Sequence, residues 1–207
     1  MQGRTFVSAA VEAFDAQWMD AVGAMHSDSM TQAMLRVHAA HDAVLTATVA
    51  ALLVLFAVRR NWRHAVLLVA IVPGGMLANV MAKQVFQRPR PGLHALVGAH
   101  GYGFPSGHTI AATLLAGFLA LLVFRLTRAW TWRAFAIAAG AATVGAVALS
   151  RVYLGAHYPA DVIAAILAGT CWTGLCIVIS DRVPTKRSRG QDRDRARSQS
   201  PGSSVRA

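Results

Sequence analysis

AVLLVAIVPGGMLANVMA, residues 65–82, contains no Asp, Glu, Lys or Arg. As a helix rising about 1.5 Å per residue it would reach close to 30 Å, roughly the thickness of a bilayer's hydrocarbon core. Pro73, with Gly74 and Gly75 beside it, interrupts the run and predicts a kink there. Before and after it, four more stretches lack those charges: residues 43–58, 109–124, 134–150 and 162–180. Several are short, so flanking residues must complete each crossing while Arg side chains reach back to the headgroups. Trp62, Trp130 and Trp132 stand beside span ends, where amphipathic rings settle. Gly and Ala dominate 134–150, which suits close helix packing rather than lipid exposure. Core helices of a soluble bundle would keep a polar face, and these stretches have none. The pattern predicts an all-α integral membrane bundle of about five transmembrane helices, with an N-terminal amphipathic helical segment.

Composition agrees. The 207 residues carry a net charge of +11, yet only 14% are charged and 55% are hydrophobic. That excludes extended disorder and argues against a nucleic-acid partner. Cys171 and Cys176 both lie in an apolar run and make no disulfide framework. Fourteen of the twenty basic residues fall in loop 59–64, loop 125–133 and the tail after Ser180. Five crossings place these regions on one side, which the positive-inside rule makes cytoplasmic, with the N-terminus outside. The other side holds Arg4, Arg36, Lys83, Arg88, Arg90 and Arg151 against Glu12, Asp15, Asp20, Asp28, Asp42 and Asp161. Its net charge is zero. Residues 1–41 carry no signal-peptide pattern. They hold Val7, Val11, Phe14, Trp18, Val22 and Met25 at helical spacing, an apolar stripe that would lie at the interface or pack on the bundle. The division is an N-terminal amphipathic segment 1–41, a transmembrane domain 42–181 and a disordered basic cytoplasmic tail 182–207.

The outer charges are not scattered. Lys83, Arg88 and Arg90 follow the second span, Arg151 ends the fourth, His108 opens the third, and His157 with Asp161 opens the fifth. In an alternating bundle all these ends face one side. Arg forks and a Lys suit the charge spread over a phosphoryl group in transfer. In Pro105-Ser106-Gly107-His108 the serine hydroxyl is placed to cap a helix, while Gly107 lets a bound anion approach free amides and the positive dipole end. His157 and Asp161 are four apart and would share a helix face. Asp161 would accept a proton from one ring nitrogen, leaving the other to attack phosphorus. His108, on another helix, would protonate the leaving oxygen.

These segments resemble the three motifs of the type 2 phosphatidic acid phosphatase family, whose site is shared with the vanadium haloperoxidases. K-x6-RP matches Lys83 through Arg90-Pro91, PSGH is Pro105 to His108, and SR-x5-H-x3-D is Ser150-Arg151, His157 and Asp161. The resemblance implies a metal-independent lipid phosphatase without a cofactor. His157 is then the nucleophile, Asp161 its orienting partner and His108 the general acid. Lys83, Arg90 and Arg151 bind phosphate with Ser106 and Gly107, and Arg88 is a neighbouring cation. The implied partners are a lipid phosphate (phosphatidic acid, phosphatidylglycerophosphate or undecaprenyl diphosphate) and membrane lipids. Membrane members usually have six spans. Residues 14–41 look like the segment that normally comes after the first span, so either that span is lost or the true start lies upstream.

Other readings are a vanadium-dependent haloperoxidase and a non-catalytic lipid-phosphate binder or transporter. The five spans disfavour the first, and the complete set of His157, Asp161 and His108 favours turnover over the second. Cys176-x5-Arg182 spells a cysteine-phosphatase signature but lacks its Gly-rich loop and lies at the other membrane face. No Asp/Glu/His cluster is left over for a metal. His26, His38, His41, His64, His94 and His100 match no motif and are expected at surfaces or interfaces; contact of His94 and His100 with substrate is the lesser alternative.

Overall fold

The computed structural model describes residues 8–91, 95–98 and 100–183. Val7, His94 and nearly all of the basic tail therefore lie outside the described residues. The described helices are α1 (Ala9–Ala24), α2 (Asp28–Val58), α3 (Trp62–Phe86), α4 (Gly107–Leu126), α5 (Trp130–Tyr153) and α6 (Pro159–Arg182). Among the described residues there is no strand. Five helices, α2 to α6, are long and apolar enough to cross a membrane, as expected.

The central helix is α4, which packs against α3, α5, α6 and α2. Its first three turns bury Thr109, Ile110, Thr113, Leu114 and Phe118. Leu68 and Ile71 of α3 and Ala165 of α6, each without exposed surface, complete the core. Small residues bring the helices together: a Cβ on Gly75 would sit 2.6 Å from Leu114 Cδ1. Large apolar side chains such as Val66, Leu77, Leu126 and Leu167 point outward, as lipid-facing positions require.

Pro73 lies inside a continuous α3. It has no N–H to give Val69 O, and one residue further on, α6 joins the helix, Trp172 Nε1 donating to Ala70 O at 3.0 Å. α5 is close-packed along one face only. Val144, Val147 and Ala148 are buried there, whereas Phe135, Ile137 and Leu149 are exposed, so the Gly/Ala-rich run does not exclude lipid contact.

Two features at the N-terminal end differ from the sequence reading. α2 begins at Asp28, well before the apolar run starts at residue 43. Ser27 accepts from Met30 N and Asp28 sits in the first turn, so capping and dipole favour an early start. The extension is roughly four turns, and it lifts His38, His41 and Asp42 to the functional end of the bundle. The predicted stripe of α1 also divides. Val22 is buried, whereas Phe14, Trp18 and Met25 are exposed, and Asp15, off the stripe, is buried as well. α1 packs on α5 and α6, with Val22 joining Val152, Leu154 and Val162. The α1–α2 corner is fastened to α5 by Tyr153, whose hydroxyl accepts from Ser27 N at 3.1 Å and bonds Thr31 Oγ1 at 3.0 Å.

Candidate active site

The third motif is shaped by the way α5 ends. Gly155 takes the left-handed conformation, φ +68°. Gly155 N donates to Val152 O and Ala156 N to Arg151 O, a Schellman closure. His157 N also donates to Arg151 O, at 3.2 Å. The five residues between Arg151 and His157 are thus the length of one helix-ending turn. Pro159 then opens α6.

Arg90 meets His157 directly. Nη1 of Arg90 lies 3.1 Å from His157 Nε2 and donates to Ala156 O at 2.9 Å. A guanidinium only donates, so Nε2 must be the accepting, unprotonated nitrogen. The ring proton therefore sits on Nδ1, which faces Asp161 Oδ2 at 3.6 Å. That is a close charge contact slightly too long for a hydrogen bond. Asp161 has no exposed surface and is held by Arg88 Nη1 at 2.7 Å and Tyr158 N at 3.0 Å.

Burial lowers the His157 pKa from its ordinary 6.5; Asp161 opposes this shift and Arg90 and Lys83 add to it. The free ring is neutral at pH 7. In a 15N-imidazole NMR titration of the substrate-free protein, His157 should take up its proton only below pH 6.5. Titration at or above that value would contradict the tautomer and burial described here.

Lys83 Nζ donates to Tyr102 O at 2.9 Å, and Arg90 Nε and Nη2 donate to Gly101 O and His100 O. The cations thus hold loop 100–103 beside the site. Gly103 lets that loop pass, since a Cβ there would lie 3.3 Å from Arg90 and 3.4 Å from Asp161 Oδ2. Arg151 is 2% exposed, and its Nη2 has no hydrogen-bond partner among the described residues.

Lys83, Arg90, Gly107, His108, Arg151 and His157 together line a cavity of about 360 Å³. Ser106 and Asp161 stand fully buried behind its wall. Ser106 occupies the N-cap of α4 but does not cap it through its side chain; its hydroxyl bonds Thr109 Oγ1 at 3.0 Å. The first amides of α4 therefore lack a side-chain acceptor, as an anion site at a helix N-terminus requires.

The sequence reading missed several neighbours. His38, His41 and Asp42 of α2 line the cavity, and His100 lines it too, in line with the lesser alternative for that residue. The rings of His38 and His41 lie 5.5 and 5.1 Å from that of His108, and Asp42 Oδ1 is 3.5 Å from His108 Nε2. They line the cavity rather than a surface or interface. The early start of α2 was the hidden signal: carried back by four turns, a helical period puts 38, 41 and 45 on one face. Arg88 is also more than a neighbouring cation. It turns away from the cavity to pair with Asp15 and Asp161, whose hydrogen bonds and charges raise its pKa against the lowering effect of burial.

Residues 63–184, more than half of the chain, match the family model of the PAP2 superfamily. The chain belongs to the PAP2 superfamily. Relatives include the lipid A 1-phosphatase of Rhizobium johnstonii, 32% identical over 132 residues, covering 59% of this chain and 50% of that protein. Phosphatidylglycerophosphatase B of Bacillus subtilis is 28% identical over 116 residues, covering 56% of this chain and 57% of that protein. The chain spans about half the length of the curated relatives it matches. In fold it is similar to the crystal structure of the transmembrane PAP2-type phosphatidylglycerolphosphate phosphatase of Bacillus subtilis. That match has a TM-score of 0.76 at 22% identity, over 86% of this chain and 90% of the other. LpxE of Aquifex aeolicus aligns with a TM-score of 0.64 at 16% identity, over 84% and 98% of the two chains. The motif-bearing helix ends thus belong to a multi-pass PAP2 membrane protein.

Proposed function

We propose that the chain is a metal-independent membrane phosphatase that removes phosphate from a lipid phosphate or diphosphate through a phosphohistidine at His157. The observation that carries this reading is the His157 ring. Its Nε2 lone pair is directed at Arg90 in a cavity also lined by Lys83 and Arg151, while Nδ1–H faces a buried carboxylate. Substrate phosphate draws the Arg90 guanidinium onto its oxygens and frees Nε2. The Nε2–P bond forms as the P–O bond to the lipid breaks, and His108 supplies a proton to the departing oxygen. Lys83, Arg90 and Arg151 balance the charge on the equatorial oxygens, with the α4 amides near Gly107. Asp161 stabilises the positive charge that His157 acquires. Water then attacks phosphorus, His108 takes its proton, inorganic phosphate leaves and His157 returns neutral.

A lipid substrate is supported by an apolar groove of about 730 Å³ between α2, α4 and α5. It meets the polar cavity at His41 and Leu45, which line both. Along α5 it runs from Val147 to Trp132, about 22 Å of helix, longer than the roughly 15 Å of one leaflet and so long enough to hold a lipid chain along it. With the excess positive charge at the opposite membrane face, the phosphate site is extracytoplasmic and the tail cytoplasmic.

The test is phosphate release by the full chain in liposomes, without divalent metal. The panel is phosphatidic acid, phosphatidylglycerophosphate, undecaprenyl diphosphate and lipid A 1-phosphate. Release from at least one, blocked by vanadate, is the expected outcome; no release from any would sink the reading. Thr143 lies on the groove wall and is exposed. Thr143→Trp should raise KM for a long-chain substrate about tenfold and leave hydrolysis of p-nitrophenyl phosphate within twofold. An equal effect on both substrates would show that the groove does not hold the chain.

A further inference from the structure

Asp15 is the most buried residue of α1, at 1% exposure, although it is a carboxylate. Both oxygens are used. Oδ1 accepts from Ala160 N at 2.8 Å, and Oδ2 pairs with Arg88 Nη2. Ala160 is the second residue of α6. Tyr158, at the N-cap, has no short polar side chain to receive that amide, so Asp15 supplies the acceptor from another helix. The other end of the Arg88 guanidinium holds Asp161 Oδ1, and its face lies over the Tyr158 ring at 4.5 Å. One planar fork therefore spans two carboxylates at fixed separation. Asp161 uses its remaining oxygen on Tyr158 N and on the His157 ring.

Charge adds to geometry. Two carboxylates share one guanidinium, so the trio keeps a net negative charge. If Arg88 faced Asp161 alone, it would neutralise that carboxylate and pull it from His157. Asp15 divides the attention of Arg88 and leaves Asp161 anionic toward the ring.

We infer that Asp15 and Arg88 are positioning residues: through them α1 fixes the place and charge of Asp161, and thereby the His157 imidazole. This rests on the proposed role of His157 and assigns α1 a part in the reaction beyond packing.

Asp15→Asn and Asp15→Ala separate the two functions of the side chain. Asn is nearly isosteric and keeps an oxygen for Ala160 N but loses the charge; Ala loses both. Both variants should lower kcat about 10- to 100-fold, as when an outer partner of a working histidine is removed. KM should stay within twofold, since neither change touches the phosphate-binding cations. Ala should lower the melting temperature further than Asn, and Asp15→Glu should recover part of kcat. Trp18→Gln, on the exposed face of α1, should change neither constant. The assay uses the full chain in liposomes and whichever panel lipid the wild type turns over fastest. If Asp15→Asn keeps wild-type kcat while Asp15→Ala loses only stability, Asp15 is a cap and the inference is wrong. A wild type inactive on every panel lipid would instead overturn the proposed function.

Discussion

His157→Ala should abolish phosphate release, with kcat falling by about 10⁴-fold or more, while the protein still inserts and folds. The size reflects the kind of group removed. Loss of a nucleophile that forms a covalent intermediate leaves only the background supplied by binding and charge. His157 is 2% exposed, but it borders a cavity and belongs to none of the apolar clusters, so its truncation should leave helix packing intact. Lys83, Arg90 and Arg151 remain, and KM for any residual activity should change little. The decisive measurement is alkaline-detergent quench trapping with lipid labelled with 32P in its phosphate. Wild type should accumulate an acid-labile, base-stable phosphoprotein, and His157→Ala none. Turnover at the wild-type rate in the variant would rule out the phosphohistidine route.

Arg151→Gln should lower kcat/KM by about 10³-fold, the scale found for arginines that meet transferring phosphoryl groups. Its carbonyl already receives Ala156 N and His157 N, so the backbone of this residue sets where His157 stands. Its side chain is anchored weakly, Nε to Ser150 Oγ at 3.4 Å, which leaves the fork available to phosphate. Glutamine preserves the backbone contacts and removes the charge. Arg151→Lys keeps the charge as a point and should recover a part, about tenfold to a hundredfold below wild type. Steady-state kinetics on both variants checks this ordering. Equal activity in the lysine variant and wild type would mean that charge alone, without the bidentate geometry, is used.

Much of the site was legible because motif spacing comes from helix geometry. Arg151 stands one Schellman turn before His157, but His157 lies just before the Tyr158 N-cap, so the turn into α6 rather than a shared helix face brings it 3.6 Å from Asp161. The less legible residues have a common physical character. Asp15 sits on a helix whose apolar stripe reads as interfacial, and its acceptor role depends on where α6 begins. His38 and His41 occupy polar sequence before an apolar run, and only the continuation of α2 to Asp28 brings them beside His108. Ser106 shows the reverse case. Sequence favours a cap at that position, but Thr109 lies 3.0 Å away and takes the hydroxyl.

The number of spans, their alternation and the membrane end at which the charged motifs gather can all be read from the chain alone. They depend on local quantities: the length of apolar runs, the period of a helix and the sign of charge in each loop. Which nitrogen of His157 is free, where Arg88 turns and what α1 is for emerge only from the packed bundle. These are pairings between residues far apart in the chain. A buried carboxylate or guanidinium must find an opposite charge or a donor, and only the assembled helices say that Arg88 found both Asp15 and Asp161.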